Sequence, residues 1–458
     1  METTITNTPE NFPDNTPETP AVASPAPVAK ADRIQTVDMI RGFALLGILL
    51  MNIMSFGIDG SVFRTILNGS HQNADFKALG FIMVFPDGTM RGLFSMLFGA
   101  GMVLFTLNKT SKPGGPTVAE YYYRRLLWLV LFGLFNAYIL LWEGDILFYY
   151  GLTGMLLYVF RNSSPKLLIG LGLLCFAINM YKTMSWYSET KETRRTYLAA
   201  QVAIKEKKTL TEEQQNAIGA WEGMVQGQKN DTARSNKNIT KMHSGYGTIF
   251  SYFIPTNANN EIWGMYSGIW DFLGMMLIGM GLFWLGFFSN KFSTSTYAMI
   301  LLVGYSIGIT IGWLSFINGQ VAWVNNFTNY FDSWRMPHFL LYDVRRLFIT
   351  VGHASLLMLI YRSGVVNWLM KALANVGQMA FTNYLMQSII CTWFFFGYGF
   401  GYYNKLRFYQ LYWVVLAVWI FQLIFSSIWL RYFRFGPFEW VWRSLTYWKK
   451  QPMKLNRS

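Results

Sequence analysis

Charge is scarce in this chain. Asp, Glu, Lys and Arg make up only 14% of its 458 residues, against roughly 25% in a soluble domain, which excludes an ordinary soluble fold. Cysteine is scarcer still. The two thiols, Cys175 and Cys391, each sit in an apolar run, so a disulfide framework and a thiolate metal centre are both excluded, and small buried hydrophobes remain. Four scattered histidines, His71, His243, His338 and His353, have no metal-ligand spacing, and no metal site is expected. Residues 1–32 are rich in Pro, Thr, Ala and Asn and lack an apolar core. That excludes a cleaved signal peptide and predicts a disordered tail, with the first span serving as an uncleaved anchor.

What is present is apolar. Hydrophobic residues make up 52% and aromatics 18%, in runs that predict an all-α, polytopic transmembrane bundle of about ten spans, each near the 20 residues needed to cross hydrocarbon. They fall near 39–57, 90–107, 126–142, 146–160, 167–184, 265–288, 296–317, 347–361, 373–397 and 409–430. Basic residues in the short loops (Lys109, Lys112, Arg124, Arg125, Arg161, Lys166, Lys291, Arg362 and Lys371) all fall on one side. By the positive-inside rule that side is cytoplasmic, with both termini. The organisation expected is a tail to 32, a transmembrane half over 33–184, an extracytoplasmic polar helical insertion over 185–262, a second transmembrane half over 263–430 and a basic cytoplasmic tail over 431–458. That last segment carries Arg431, Arg434, Arg443, Lys449, Lys450, Lys454 and Arg457 against Glu439. Its place just after a span makes it a headgroup anchor, with the lipid bilayer rather than nucleic acid as partner. Gly304, Gly308 and Gly312 recur every four residues and predict close helix contact. Gly304-Tyr305-Ser306-Ile307-Gly308 has the spacing of a nucleophile elbow but lies mid-span, where no strand-to-helix turn exists.

The polar residues inside these runs carry the functional signal, because hydrocarbon penalises them unless they face a partner or a cavity. The stretch from Gly377 to Ser388 contains Gln378, Thr382, Asn383, Gln387 and Ser388. In the first span Asp38, Arg41, Asn52 and Ser55 share a face: from Arg41 to Asn52 the helix returns within roughly 20°, about 16 Å deeper. Arg125 and Asn136 repeat that spacing in the third span. Asn52, Asn136, Asn383 and Gln387 are thus expected at similar depth, either as interhelical glue or as a site for a carbonyl, a sugar hydroxyl or a head group. At the other face Arg91, Glu143, Asp145, Asp271, Arg345, Arg346 and, two turns in, His353 could form structural ion pairs. A carboxylate set against an imidazole would instead tune a general base.

Several of these segments carry a resemblance: Asp38-Met39-Ile40-Arg41-Gly42-Phe43-Ala44-Leu45-Leu46-Gly47, Leu97-Phe98-Gly99-Ala100-Gly101, Gly144-Asp145-Ile146-Leu147, Gly274-Met275-Met276-Leu277-Ile278-Gly279, the 377–388 stretch and Gly436-Pro437-Phe438-Glu439-Trp440. With them the chain resembles the YeiB-like family of bacterial membrane proteins, a family of unknown function. It is more distantly similar to transmembrane acyltransferases, including the lysosomal heparan glucosaminide acetyltransferase and the acyltransferase-three group. That likeness implies transfer of an acyl group from a cytoplasmic thioester, an acyl-CoA-type donor, to an extracytoplasmic glycan or lipid. It implies Arg41 at the donor phosphates, Asn52 or Asn383 at the acyl carbonyl, and Asp145, His71 or His353 as base. Arg91, Asn136 and Gln387 are expected to bind substrate. Two positions depart from the pattern: Asn52 stands where the acyltransferase-three group has His, and Asn136 where many YeiB-like proteins have His. Asparagine is no base at neutral pH, which keeps a non-enzymatic transporter or scaffold open as the alternative.

Overall fold

The computed structural model describes residues 34–107, 117–229, 231–332 and 335–455. The tail over 1–32 and the loop basic residues Lys109 and Lys112 lie outside them. The described residues are helical, with one isolated bridge, Phe433 to Lys454, and no strand.

Seven helices among them are long and apolar enough to cross a membrane: Gln35–Gly57, Ala74–Leu107, Pro165–Lys205, Tyr246–Trp284, Thr294–Asn325, Tyr342–Ser363 and Phe408–Tyr432. The remaining apolar helices are short or interrupted. Val118–Leu134 runs into a wide turn over Phe135–Ile139 and is followed by Leu147–Leu157. The 373–397 run breaks at Met379 into Asn367–Gln378 and Ala380–Phe395. Pro165–Lys205 is one 41-residue helix that runs straight through the boundary expected at 184/185. Its far end packs with Glu212–Gln228 around Tyr187, Trp221, Phe327, Tyr330 and Phe331.

The helices that position the site are α1 Gln35–Gly57, α2 Thr89–Leu107, α3 Val118–Leu134, α4 Leu147–Leu157, α5 Met265–Trp284, α6 Tyr342–Ser363, α7 Asn367–Gln378, α8 Ala380–Phe395, α9 Leu411–Tyr432 and α10 Pro437–Tyr447. Helix α1 is central and contacts α2, α7, α8 and α9. Its contact with α7 is set by two glycines. A side chain at Gly42 would strike the Leu373 carbonyl, and one at Gly377 the Asp38 carbonyl. Such backbone approach gives the dispersion contact that replaces the hydrophobic effect between helices in lipid. Gly304, Gly308 and Gly312 do face α6, against Phe348, Ile349 and Arg345, as their spacing predicts.

Candidate functional site

A cavity of about 190 Å³ opens at the end of the bundle that holds Arg41 and α10. Arg41, Arg125, Arg443 and Trp442 form its mouth, Leu97, Phe98, Met102, Leu126 and Leu129 its shaft, and Ile146, Tyr150 and Tyr384 its closed end. Phe94 and Phe105, both in the wall, are eleven positions apart on α2, which makes the shaft about 16 Å long.

The mouth is cationic. Arg41 is bonded to Asp38 one turn earlier, at 2.8 Å. Arg125 has no carboxylate in ion-pair range among the described residues; its guanidinium lies 4.2 Å over the Trp442 ring and 5.5 Å over Phe105, with Arg41 a like charge nearby. The Trp442 indole N–H, in turn, donates to the Arg125 carbonyl at 2.9 Å. A half-buried arginine held by aromatic rings and facing a second arginine calls for an anion.

The break at Met379 brings a helix start to this mouth. The Glu439 carboxylate on α10 accepts the Phe381 N–H at 2.7 Å, the Thr382 N–H at 3.0 Å and the Thr382 hydroxyl at 2.5 Å. It thus satisfies two of the free N–H groups of α8 from outside the helix. Burial pushes the Glu439 pKa above the ordinary carboxylate value, against these bonds, which favour the charged form.

At the closed end Asp145 accepts from Asn136 Nδ2 at 2.8 Å and from the Phe148 N–H at 2.9 Å. The Tyr384 hydroxyl accepts the Ile146 N–H at 3.1 Å. Tyr150 is bonded to Ser95 at 2.7 Å and donates to the Arg91 carbonyl at 3.2 Å. The Arg91 guanidinium meets Asp271 at 2.6 Å. Asp271 lines a second cavity, of about 270 Å³, toward the opposite end of the bundle, with Asn179, Thr183, Ser267, Tyr342 and Asp343. One layer, Tyr150 to Arg91 to Asp271, therefore separates the two cavities.

The expected site residues divide between these places. Arg41 is in the mouth, and Asn136 with Asp145 stands behind the closed end. Arg91 is in the dividing wall, where Asp271 also pairs with Arg346, and Arg346 bonds Asp343 at 2.9 Å. Asn383 and Gln387 join helices: Asn383 donates to Ser426 at 2.9 Å, and Gln387 to Gln422 at 3.1 Å. Gln422 donates back to the Asn383 carbonyl at 2.7 Å. His353 is buried between Phe43 and Phe85, bonded to Tyr305 at 2.8 Å and weakly to Thr89 at 3.4 Å, not to a carboxylate. Asn52 is half-buried and makes no side-chain hydrogen bond among the described residues. The amides do not share one pocket: Asn52, Asn136, Asn383 and Gln387 are all absent from the cavity wall; the amide nitrogens of Asn136, Asn383 and Gln387 donate to an adjacent helix or turn, while their oxygens are buried without a hydrogen-bond partner among the described residues. The cavity residues that sequence reasoning passed over are Arg125 as an anion contact, Tyr150, Tyr384, Trp442 and Glu439. The last had a signal, as the lone acid in a basic tail.

Seven apolar helices of spanning length among the described residues define an integral, multi-pass membrane protein. The chain belongs to the YeiB-like family of unknown function. It is 30% identical over 425 residues to "Uncharacterized protein YeiB" of Escherichia coli (strain K12), covering 91% of this chain and 96% of that one. It is 29% identical over 442 residues to "Uncharacterized protein YxaH" of Bacillus subtilis (strain 168), covering 94% and 98%. Residues 282–449 match the family described as "Protein of unknown function (DUF418)". No solved structure matches the chain.

Proposed function

We propose that the protein is an acyltransferase of the bacterial plasma membrane, crossing it about ten times with both termini cytoplasmic. It takes the acyl group of a phosphate-bearing thioester of the acyl-CoA type. The observation that carries this reading is the basic-mouthed cavity, with Arg125 lacking a carboxylate partner among the described residues and Arg41 beside it. Donor phosphates would bind these guanidiniums through charge-assisted hydrogen bonds, and the shaft would lead the thioester toward Tyr150 and Tyr384. The acceptor, an extracytoplasmic glycan or lipid, would approach through the second cavity. Its hydroxyl oxygen or amine nitrogen bonds to the acyl carbon, the C–S bond breaks, and the acceptor proton ends on the departing sulfur. Incubating purified protein with labelled acyl-coenzyme A and cell-envelope glycans tests the reading; absence of both transfer and donor binding refutes it.

Transport is the second reading, favoured by one observation: two cavities open toward opposite ends and are closed from each other, beside a span broken at Met379. Substrate-dependent flux in proteoliposomes without any covalent product would select it.

A further inference from the structure

The closed end of the first cavity has a weakly engaged hydrogen-bond donor. Tyr384 lines it and is 3% exposed. Its oxygen accepts the Ile146 N–H. The acceptors in reach of its own proton, the Gly144 carbonyl and Asp145 Oδ1, both stand at 3.5 Å, the outer edge of a useful bond. Asp145 also accepts from Asn136 and Phe148. Tyr150, across the same end, differs: its hydroxyl is fully engaged by Ser95 and the Arg91 carbonyl. A buried hydroxyl proton without a good acceptor is costly, and the cost is relieved by a ligand that brings one.

We infer that Tyr384 is a carbonyl-binding residue: its hydroxyl donates to an acyl oxygen of the ligand whose phosphates rest on Arg41 and Arg125. This rests on the donor-binding half of the proposed function and narrows the ligand class. The molecule must carry an anionic group at one end and a hydrogen-bond-accepting carbonyl about 16 Å away. That separation follows from the wall, since Arg125 lies over Phe105 at the mouth and Tyr150 packs on Phe94 at the closed end, eleven residues apart on α2. A donor aimed at the oxygen that gains charge during acyl transfer would also hold the transition state more tightly than the ground state.

The test compares acetyl-coenzyme A, labelled with ¹³C at the carbonyl, with coenzyme A itself, on full-length protein, wild type and Tyr384→Phe. Wild type should bind the thioester about tenfold more tightly than the thiol, the size of one hydrogen bond. Tyr384→Phe should abolish that preference while keeping the thiol affinity. The carbonyl stretch of the bound probe should lie lower in wild type than in the variant. An unchanged preference and an unchanged frequency overturn the inference. If the variant does not fold, a wild-type carbonyl frequency equal to that of the thioester in buffer overturns it as well. Should wild type bind neither probe, the inference and the donor reading fall together. Tyr384-dependent carbonyl binding without transfer to any acceptor upholds the inference and removes only the acyltransferase reading. Transfer at the wild-type rate by Tyr384→Phe, with no frequency shift, removes only the inference.

Discussion

At the scale of single residues, Arg125 and Gly101 give the sharpest contrast. Arg125 is the mouth cation without a carboxylate partner among the described residues, so Arg125→Ala should cost a phosphate-bearing ligand about 10- to 100-fold in affinity, the range of hydrogen bonds to charged groups. Titrating acyl-coenzyme A into both proteins measures it. Gly101 faces the cavity with open space: a Cβ there would meet only an Arg41 nitrogen, at 4.0 Å. Gly101→Leu should therefore fold with an unchanged melting temperature yet block the shaft. A large fall in melting temperature would show that the space is needed for packing. Among the buried polar residues, the sequence already marked Asn383 and Gln387 as requiring partners, because an amide in an apolar run is costly alone. It could not say that the partners are Ser426 and Gln422, some 35 to 43 positions away.

At the scale of elements, two junctions carry the site. The contact of α1 with α7 depends on Gly42 and Gly377, where any side chain meets the opposing backbone. Gly42→Val should destabilise the protein by about 1–3 kcal/mol or more through overpacking, read as a loss of detergent-solubilised, folded protein on heating. The seating of α10 on α8 depends on Glu439. Glu439→Ala removes the acceptor for two N–H groups and a hydroxyl, and should cost about 0.5–2 kcal/mol by analogy with helix caps. Amide exchange should rise in α10 and in the first turn of α8, and not in α5. Periodicity made some elements plain: the four-residue glycine repeat placed the face of Thr294–Leu314 that meets α6. Breaks were less legible, since the apolar run over 373–397 continues through Met379. The capping carboxylate that lets the chain break there lies nearly sixty residues downstream.

For the whole molecule, the class was legible from the shortage of charge and the length of the apolar runs, because hydrocarbon admits few other solutions. The cavity was not, since its wall gathers Arg41, Arg125, Tyr150, Tyr384 and Trp442 from five separate helices. Between the cavities lies a connected ion network of Arg91, Asp271, Arg346 and Asp343. Asp271 answers both Arg91 and Arg346, so Asp271→Asn would leave the buried Arg346 and the half-buried Arg91 under-compensated and should cost about 3–5 kcal/mol, seen as a large fall in melting temperature. The most direct measurement of the central claim is the affinity of purified protein for acyl-coenzyme A, taken alongside Arg125→Ala. Expected is saturable binding to wild type that weakens at least tenfold in the variant. Equal affinity in both proteins, or no binding to wild type, would contradict it.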